Sequence, residues 1–247
     1  MLDITGFHRD AGKGLTLTVD FTDPAQVGAF TDDLVAYAAE RTPRFLGAGN
    51  EVNRGWEHDP AAFDAWVAAL PGIVDAVHAA SPGTQVLVTF QYEFLRGGGA
   101  ITGVAREPQW ELLDRVAPHV DLVAFTTYPF FDYATPAEIP RDYYAEAEEH
   151  AGGRIGLSEI GWPSAPIAPL EGSALEGLGG TPEEQAAFIA RLRDLLAPLD
   201  LEFAMWSWAY DTDTVGPPFD SIGLAANDGT PKPAWDAWRA FAGRLMR

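Results

Sequence analysis

The sequence predicts an α/β fold of parallel strands with helices outside, of the (β/α)8 TIM-barrel type. Short apolar runs alternate with longer amphipathic runs from residue 15 to the end of the 247-residue chain. Continuous alternation of this kind is typical of parallel sheets with outer helices. The runs are apolar throughout, as expected for strands covered on both faces. Polar residues cluster where the runs end, and a barrel gathers such ends at one mouth.

Six strands are predicted, each followed by a helix. The first run, LTLTVDF, is rich in β-branched residues, which favour strands. The last run, LEFAMWSWAYD, carries aromatic residues, which also favour strands. The strands are expected within Leu15–Phe21, Arg44–Val52, Gln85–Phe94, Val120–Phe131, Arg154–Trp162 and Leu201–Asp211.

The helix starts carry recognisable capping residues. Asp23 precedes Pro24 and Asp59 precedes Pro60, and an aspartate cap followed by proline in the first turn is a helix-start pattern. Thr181 is predicted to cap a later helix. Helices are therefore expected in residues 23–41, 59–80, 108–117, 140–150, 181–199 and 231–246.

Composition excludes several classes of partner. The formal net charge is −20 and the chain has only two lysines, so nucleic acid and anionic membranes are poor partners. No apolar run reaches the length of about 18 residues that a membrane span needs. The N-terminus lacks a signal-peptide pattern, and localisation stays open between a cytoplasmic protein and, if the N-terminus is truncated, a secreted one. Cysteine is absent, which excludes disulfides and thiolate chemistry.

Other enzyme classes lack their motifs. An open nucleotide-binding sheet usually carries a glycine-rich first turn, and none follows a strand here. The glycine-rich stretch Arg96–Gly103 is interpreted as a flexible loop. The five histidines show no paired spacing on one helix, and no G-x-S-x-G elbow is present. We therefore expect no metal and no cofactor.

Two glutamates stand at strand ends. Glu51 closes LGAGNEV and Glu159 closes IGLSEIGW. Each could be a helix cap or half of an ion pair, but the pair together suits glycoside cleavage, where one carboxyl donates a proton while the other attacks or activates water. Trp162 follows Glu159, and its flat indole could stack on a sugar ring. Gln91, at another strand end, is a further candidate substrate-binding residue.

Three motifs carry a family resemblance. GNEV at residues 49–52, SEIGWPS at 158–164 and DGTPKPAWDAW at 228–238 resemble retaining glycoside hydrolases of clan A. The second motif is similar to the ETGWPS signature of family 17, the endo-β-1,3-glucanases, with isoleucine in place of threonine. Family 53, the endo-β-1,4-galactanases, has related patterns. The resemblance implies hydrolysis of β-linked saccharides by a retaining double displacement.

The same resemblance implies roles for individual residues. Glu51 matches the acid/base after strand four of the barrel, and Glu159 matches the nucleophile after strand seven. Asn50 would bind the sugar 2-hydroxyl, and Tyr128 would hydrogen-bond the nucleophile. The floor of the cleaving subsite would be formed by Trp206 or Trp208.

Counting strands from this match reveals a departure from the family pattern. Only fourteen residues precede Leu15, so the first two strand–helix units are expected to be missing and about six parallel strands are predicted. Residues 1–247 are then one barrel domain whose open edges predict self-association. The departure also keeps a second hypothesis open, a catalytically impaired barrel that only binds carbohydrate.

Overall fold

A computed structural model describes residues 2–3, 7–10, 14–17, 19–98, 106–167 and 178–245. The eight strands in these ranges are β1 (Leu2–Asp3), β2 (Phe7–Asp10), β3 (Gly14–Leu17), β4 (Phe45–Gly47), β5 (Gln85–Gln91), β6 (Leu122–Thr127), β7 (Ile155–Ile160) and β8 (Leu201–Ala204). The α-helices are α1 (Pro24–Arg41), α2 (Val52–His58), α3 (Pro60–Ala80), α4 (Tyr92–Leu95), α5 (Trp110–Val116), α6 (Ala145–Ala151), α7 (Pro182–Leu196) and α8 (Pro233–Leu245).

Six of these strands form one parallel sheet in the order β1-β4-β5-β6-β7-β8. From β4 onward the spatial order is the order in the chain, and helices lie between successive strands. A parallel strand follows another only through such a crossover, so the carboxyl ends of all six strands share one edge. The prediction of a barrel-type α/β fold with about six parallel strands is confirmed.

The assignment of LTLTVDF to this sheet was wrong. Gly14–Leu17 pairs antiparallel with Phe7–Asp10 in a separate two-stranded sheet. The place beside β4 is taken instead by Leu2–Asp3. Only three residues separate β2 from β3, and two extended segments so near each other in the sequence pair locally as a hairpin. Residues 14–17 form a strand, as the β-branched residues indicate, but local pairing decides its partner.

The predicted helix caps are confirmed. The side chain of Asp23 accepts a hydrogen bond from Ala25 N at 2.9 Å. Asp59 accepts one from Ala62 N, also at 2.9 Å. Thr181 forms a reciprocal capping box at the start of α7. Each cap satisfies backbone N–H groups that a helix start leaves without a partner.

Helix α3 is the one helix of the described ranges that is long and apolar enough to cross a membrane. Its apolar side chains nevertheless belong to the main core, where Phe63, Leu70 and Val77 are fully buried. By composition this helix could span a membrane, but its apolar side chains pack in the core of the protein. The helix continues through Pro71.

The two faces of the sheet carry different apolar clusters. Leu87, Leu122 and Ala124 form a small inner cluster with Phe45 and Phe203. Their neighbours in sequence belong to the large cluster that includes the helices. Side chains alternate between faces along a strand, so even-numbered residues of β6 point inward. This alternation decides which residues reach the candidate site.

Candidate active site at the carboxyl edge of the sheet

Glu51 follows β4 and stands at the N-cap of α2 with a left-handed backbone, φ 48° and ψ 45°. This conformation costs a non-glycine residue about 1–3 kcal/mol and is concentrated at functional sites. The backbone N–H of Glu51 donates to Thr89 Oγ1 at 2.8 Å. Its carboxylate makes no helix-cap hydrogen bond, so capping does not explain this residue.

The approach to Glu51 requires a residue without a side chain. A Cβ at Gly49 would lie 2.7 Å from Val52 Cγ1 and 2.9 Å from the ring of Trp66. Contacts this short do not occur between a Cβ and its neighbours, so only glycine lets the chain pass between the end of β4 and the first turns of α2 and α3.

Glu159 lies on β7 and is aimed by a β-bulge. Phe125 of β6 is in register with Leu157, but the next residue, Thr126, is in register with Glu159. Ser158 is therefore the extra residue, and it donates to Phe125 O at 3.2 Å. Without the bulge, strict alternation would place Glu159 on the outer face with Leu157. The bulge brings its side chain to the face that carries Thr126.

Thr126 links the two glutamates. Its hydroxyl donates to Glu51 Oε1 at 2.7 Å. Its backbone neighbour on the adjacent strand is Glu159, and neighbouring strands lie about 4.8 Å apart. One threonine thus binds the Glu51 carboxylate and lies beside Glu159 in the sheet, at the edge where the carboxyl ends of the strands meet.

Glu159 is held by Tyr128. The phenol donates a short hydrogen bond to Glu159 Oε2, and the same oxygen of Tyr128 lies 3.0 Å from Ser207 Oγ. Ser207 in turn donates to Ile160 O at 3.0 Å. These hydroxyls fix one oxygen of the Glu159 carboxylate.

The two carboxylates have different electrostatic surroundings. Burial raises the pKa of Glu51 to about 7, with the negative charge of Glu159 as the second cause, while the Thr126 hydroxyl and the Arg54 charge act against the rise. Burial also raises the pKa of Glu159, and the Tyr128 hydroxyl opposes it. When Glu159 is ionised, Glu51 therefore keeps its proton near neutral pH. Such a separation of two acids is the arrangement that assigns one as proton donor.

Three other predicted substrate-binding residues lie near this edge. Asn50 is half-buried, and its Oδ1 accepts from Thr89 Oγ1 at 2.6 Å. Trp208 is 37% exposed, one of the most exposed large apolar side chains in the described ranges. The hydroxyl of Tyr128 meets Glu159, as the family resemblance implies. Whether any of the three binds a sugar stays a prediction.

Three further residues predicted to bind substrate, Trp162, Trp206 and Gln91, are buried in the structure. Trp162 is 1% exposed and packs against Phe188 of α7 with ring centroids 5.1 Å apart. Trp206 is 9% exposed and donates its indole N–H to Ile222 O at 2.8 Å. Both rings lie in the layer between sheet and helices, where apolar packing determines their position.

Gln91 is buried for a different reason. It is 3% exposed, and its side-chain amide donates to Glu93 Oε2 at 2.7 Å. Its side-chain oxygen caps α4 by accepting from Phe94 N at 2.8 Å. Both ends of the amide are therefore engaged inside the protein, and its predicted contact with substrate stays a prediction.

The sequence did not single out several residues that line or support the site. Thr126 contacts Glu51, and Glu93 lies buried below it. Half-buried phenylalanine rings surround Tyr128, with centroid distances of 4.9 Å for Phe219 and 6.3 Å for Phe131. The signal available in the sequence was the pair of threonines in FTTYPFF, because hydroxyls are uncommon in a strand buried on both faces.

No protein-family model matches the chain, and no curated protein matches it. Solved structures do share the fold. The GH5_18 protein from Streptomyces cattleya, solved in complex with GlcNAc, aligns with a TM-score of 0.66 and 20% identity over 92% of this chain and 55% of that chain. The Ignisphaera aggregans GH53 catalytic domain aligns with a TM-score of 0.61 and 18% identity over 87% and 65%.

A third similar structure is the β-D-glucuronidase of Dictyoglomus thermophilum, with a TM-score of 0.59 and 13% identity over 89% of this chain and 36% of that chain. At these identities the likeness establishes the fold alone. The chain has the TIM-barrel fold of these glycoside hydrolase structures. It spans about half the length, 55%, of the GH5_18 structure.

Proposed function

We propose that the chain is the catalytic part of a retaining β-glycosidase. The observation that carries this proposal is the pair of glutamates around Thr126: one carboxyl has a pKa of about 7, and the other is held by a tyrosine hydroxyl. Both follow strands at the carboxyl edge, where TIM-barrel enzymes place their chemistry. The fold shared with glycoside hydrolases supports the same proposal.

The proposal gives each carboxyl a role. Glu159, in its ionised form and oriented by Tyr128, attacks the anomeric carbon and forms a glycosyl ester. Glu51, about half protonated at neutral pH, donates its proton to the leaving oxygen. In the second step Glu51 takes a proton from water, which attacks the ester and releases Glu159. The Phe131 and Phe219 rings beside Tyr128 offer an apolar wall for the C–H face of a sugar.

The substrate class follows from this chemistry and from the similar folds. We infer a β-linked oligosaccharide or polysaccharide, because retention at a β-linkage is the reaction of the clan that the motifs resemble. The GH5_18 protein was solved with GlcNAc and with Manβ1-4GlcNAc, which makes aryl β-mannosides, β-glucosaminides, β-galactosides and β-glucosides the first panel to test.

A carbohydrate-binding barrel without turnover is the second candidate. It is favoured by the described sheet, in which six strands rather than eight surround the mouth. Binding without cleavage would show as retention on a β-glucan or galactan matrix with no release of reducing sugar.

Burst kinetics with an aryl β-glycoside test the proposal. Glu159→Ala should abolish activity on every substrate, because it removes the atom that bonds to the sugar. Glu51→Ala should lose about 10²–10⁴-fold on an oligosaccharide, the usual worth of general acid–base help. An acidic phenol needs little protonation, so Glu51→Ala should still release one burst of phenol before turnover stalls.

Two outcomes contradict the assignment. A burst with Glu159→Ala and none with Glu51→Ala would reverse the roles. Full activity in both variants would leave the pair without a catalytic role.

A further inference from the structure

A third carboxylate, that of Glu93, lies beneath the site and is 2% exposed. It accepts hydrogen bonds from Thr127 Oγ1 at 2.7 Å, from Tyr143 OH at 2.8 Å and from Gln91 Nε2 at 2.7 Å. The backbone N–H of Tyr128 also donates to it. Within the described ranges it forms no salt bridge. Since burying an unpaired charge is costly, a carboxylate held by neutral donors alone calls for a role.

The partners of Glu93 are placed by the alternation along β6. Thr126 points inward to Glu51, and Tyr128, two residues later, points to Glu159. Thr127 lies between them and points to the other face, where it meets Glu93. Three consecutive residues thus bind three carboxylates. Glu93 binds the middle residue, Thr127, on the face of the sheet opposite to Glu51.

We propose that Glu93 is a positioning residue: its buried carboxylate fixes Thr127 and the backbone of Tyr128, so that the hydroxyls on either side meet Glu51 and Glu159. Both oxygens of the carboxylate are hydrogen-bonded: one accepts from the Thr127 and Tyr143 hydroxyls, and the other accepts from Gln91. The hydroxyl of Tyr144, 3.0 Å from Thr127 Oγ1, supports the same threonine.

Glu93 also acts on Glu51 through its charge. Besides burial and Glu159, the negative charge of Glu93 contributes to the raised pKa of Glu51, and Arg54 on α2 works in the opposite direction. Burial is the largest influence on Glu93 and raises its pKa; the backbone N–H of Tyr128 and the hydroxyls of Thr127 and Tyr143 oppose the rise, and the negative charge of Asp132 adds to it. Arg96 lies over the Tyr143 ring at 4.8 Å and pairs with Asp132 at 3.5 Å, not with Glu93.

The effect of the Glu93 charge on catalysis rests on the proposed function, but its effect on the pKa of Glu51 can be measured without any activity. Carbon-13 NMR of protein labelled at the glutamate carboxyls, with the Glu51 signal assigned by Glu51→Gln, follows the titration of Glu51 without any substrate. In Glu93→Gln the pKa of Glu51 should fall by roughly half a pH unit, because a like charge about one strand away is removed.

Glu202→Gln is the matched control. Glu202 is also a buried carboxylate, with a side chain 7% exposed, but it lies on β8 and pairs with Arg44 and Arg154. This substitution should leave the titration of Glu51 unchanged. An unchanged Glu51 titration in Glu93→Gln, or an equal shift in both variants, would overturn the proposal.

Tyr143→Phe keeps the test available if Glu93→Gln does not fold. It removes one hydroxyl that lowers the pKa of Glu93, so Glu93 stays protonated to higher pH and the pKa of Glu51 should again fall, by a smaller amount. If the protein is active, the alkaline limb of kcat/KM should move to lower pH in both variants. A shift in NMR without any glycosidase activity would support the inference and reject the proposed function.

Discussion

The two edges of the parallel sheet surround their carboxylates differently. At the amino edge, the buried side chain of Glu202 pairs with Arg44 and Arg154, and the exposed Asp121 lies 2.7 Å from His78 Nε2. At the carboxyl edge, within the described residues, Glu51, Glu93 and Glu159 form no salt bridge and accept hydrogen bonds from hydroxyl groups instead.

This difference concerns what each carboxylate is bound to. The arginines beside Glu202 join β8 to the residues directly before β4 and β7. A threonine or tyrosine hydroxyl orients a carboxylate but leaves room for burial and a like charge to raise the pKa, as at Glu51. The carboxylate of Glu202 thus links strands, whereas that of Glu51 has a raised pKa.

The largest expected effect comes from exchanging one carboxyl at each edge for an amide. Glu159→Gln should reduce glycosidase activity to the detection limit and leave the melting temperature nearly unchanged, because the amide can still accept from Tyr128. Glu202→Gln should keep full activity and cost about 1–2 kcal/mol in the free energy of unfolding, a modest value since both arginines are largely exposed. Thermal unfolding and aryl-glycoside rates measure both. An equal loss of activity in Glu159→Gln and Glu202→Gln would contradict the distinction between the two edges.

The next effect is on the pH dependence of stability. The pKa of Glu51 is about 7 in the folded protein and near 4.5 in the unfolded chain, so the folded state binds more protons between these values. The free energy of unfolding should therefore fall as the pH rises from 4.5 through 7, by about 2–3 kcal/mol in total from this group.

Glu51→Gln isolates that contribution. The amide cannot ionise, so the variant should be more stable than the original protein at pH 8 and should show a flatter curve in denaturant titrations at pH 5, 6, 7 and 8. Glu202→Gln, at the opposite edge, should keep the original slope in this window. A Glu51→Gln curve parallel to that of the original protein would show that Glu51 titrates normally.

The smallest expected effect concerns self-association, which stays a prediction. Strand β8 has one neighbour, β7, within the described sheet, and the large apolar residues Met205 and Tyr210 beyond it are 39% and 51% exposed. Unpaired strand edges promote association. Light scattering should show a mass that rises with concentration.

Met205→Lys should weaken that rise, because a charge next to the edge disfavours pairing. Ala190→Lys, on the exposed face of α7, is the control and should leave the rise unchanged. A constant monomer mass over the whole concentration range would reject association through this edge.

Much of the fold could be predicted from local signals. Helix starts could be predicted at Asp23, Asp59 and Thr181, because a cap needs only a side-chain oxygen and the next few backbone N–H groups. The strands from β4 to β8 are visible as apolar runs. The hairpin of β2 and β3 was missed because propensity gives the strand and not its partner.

The candidate site was predictable in part. Glu51 and Glu159 could be chosen from their strand-end positions and the motifs around them. The burial of Trp162 and Trp206 was not predictable, because an aromatic residue on a strand can face either the mouth or the helix layer, and only packing against Phe188 and Ile222 decides.

The sequence by itself determined the order of strands and helices, the caps, and the two glutamates that close β4 and β7. Tertiary structure alone decided how these glutamates meet. The extra residue Ser158 shifts the register so that Glu159 faces inward beside Thr126, and a bulge leaves no mark in an apolar run. The raised pKa of Glu51 likewise depends on burial and on charges 42 and 108 positions away in the chain, at Glu93 and Glu159. Their approach is set by the folded sheet.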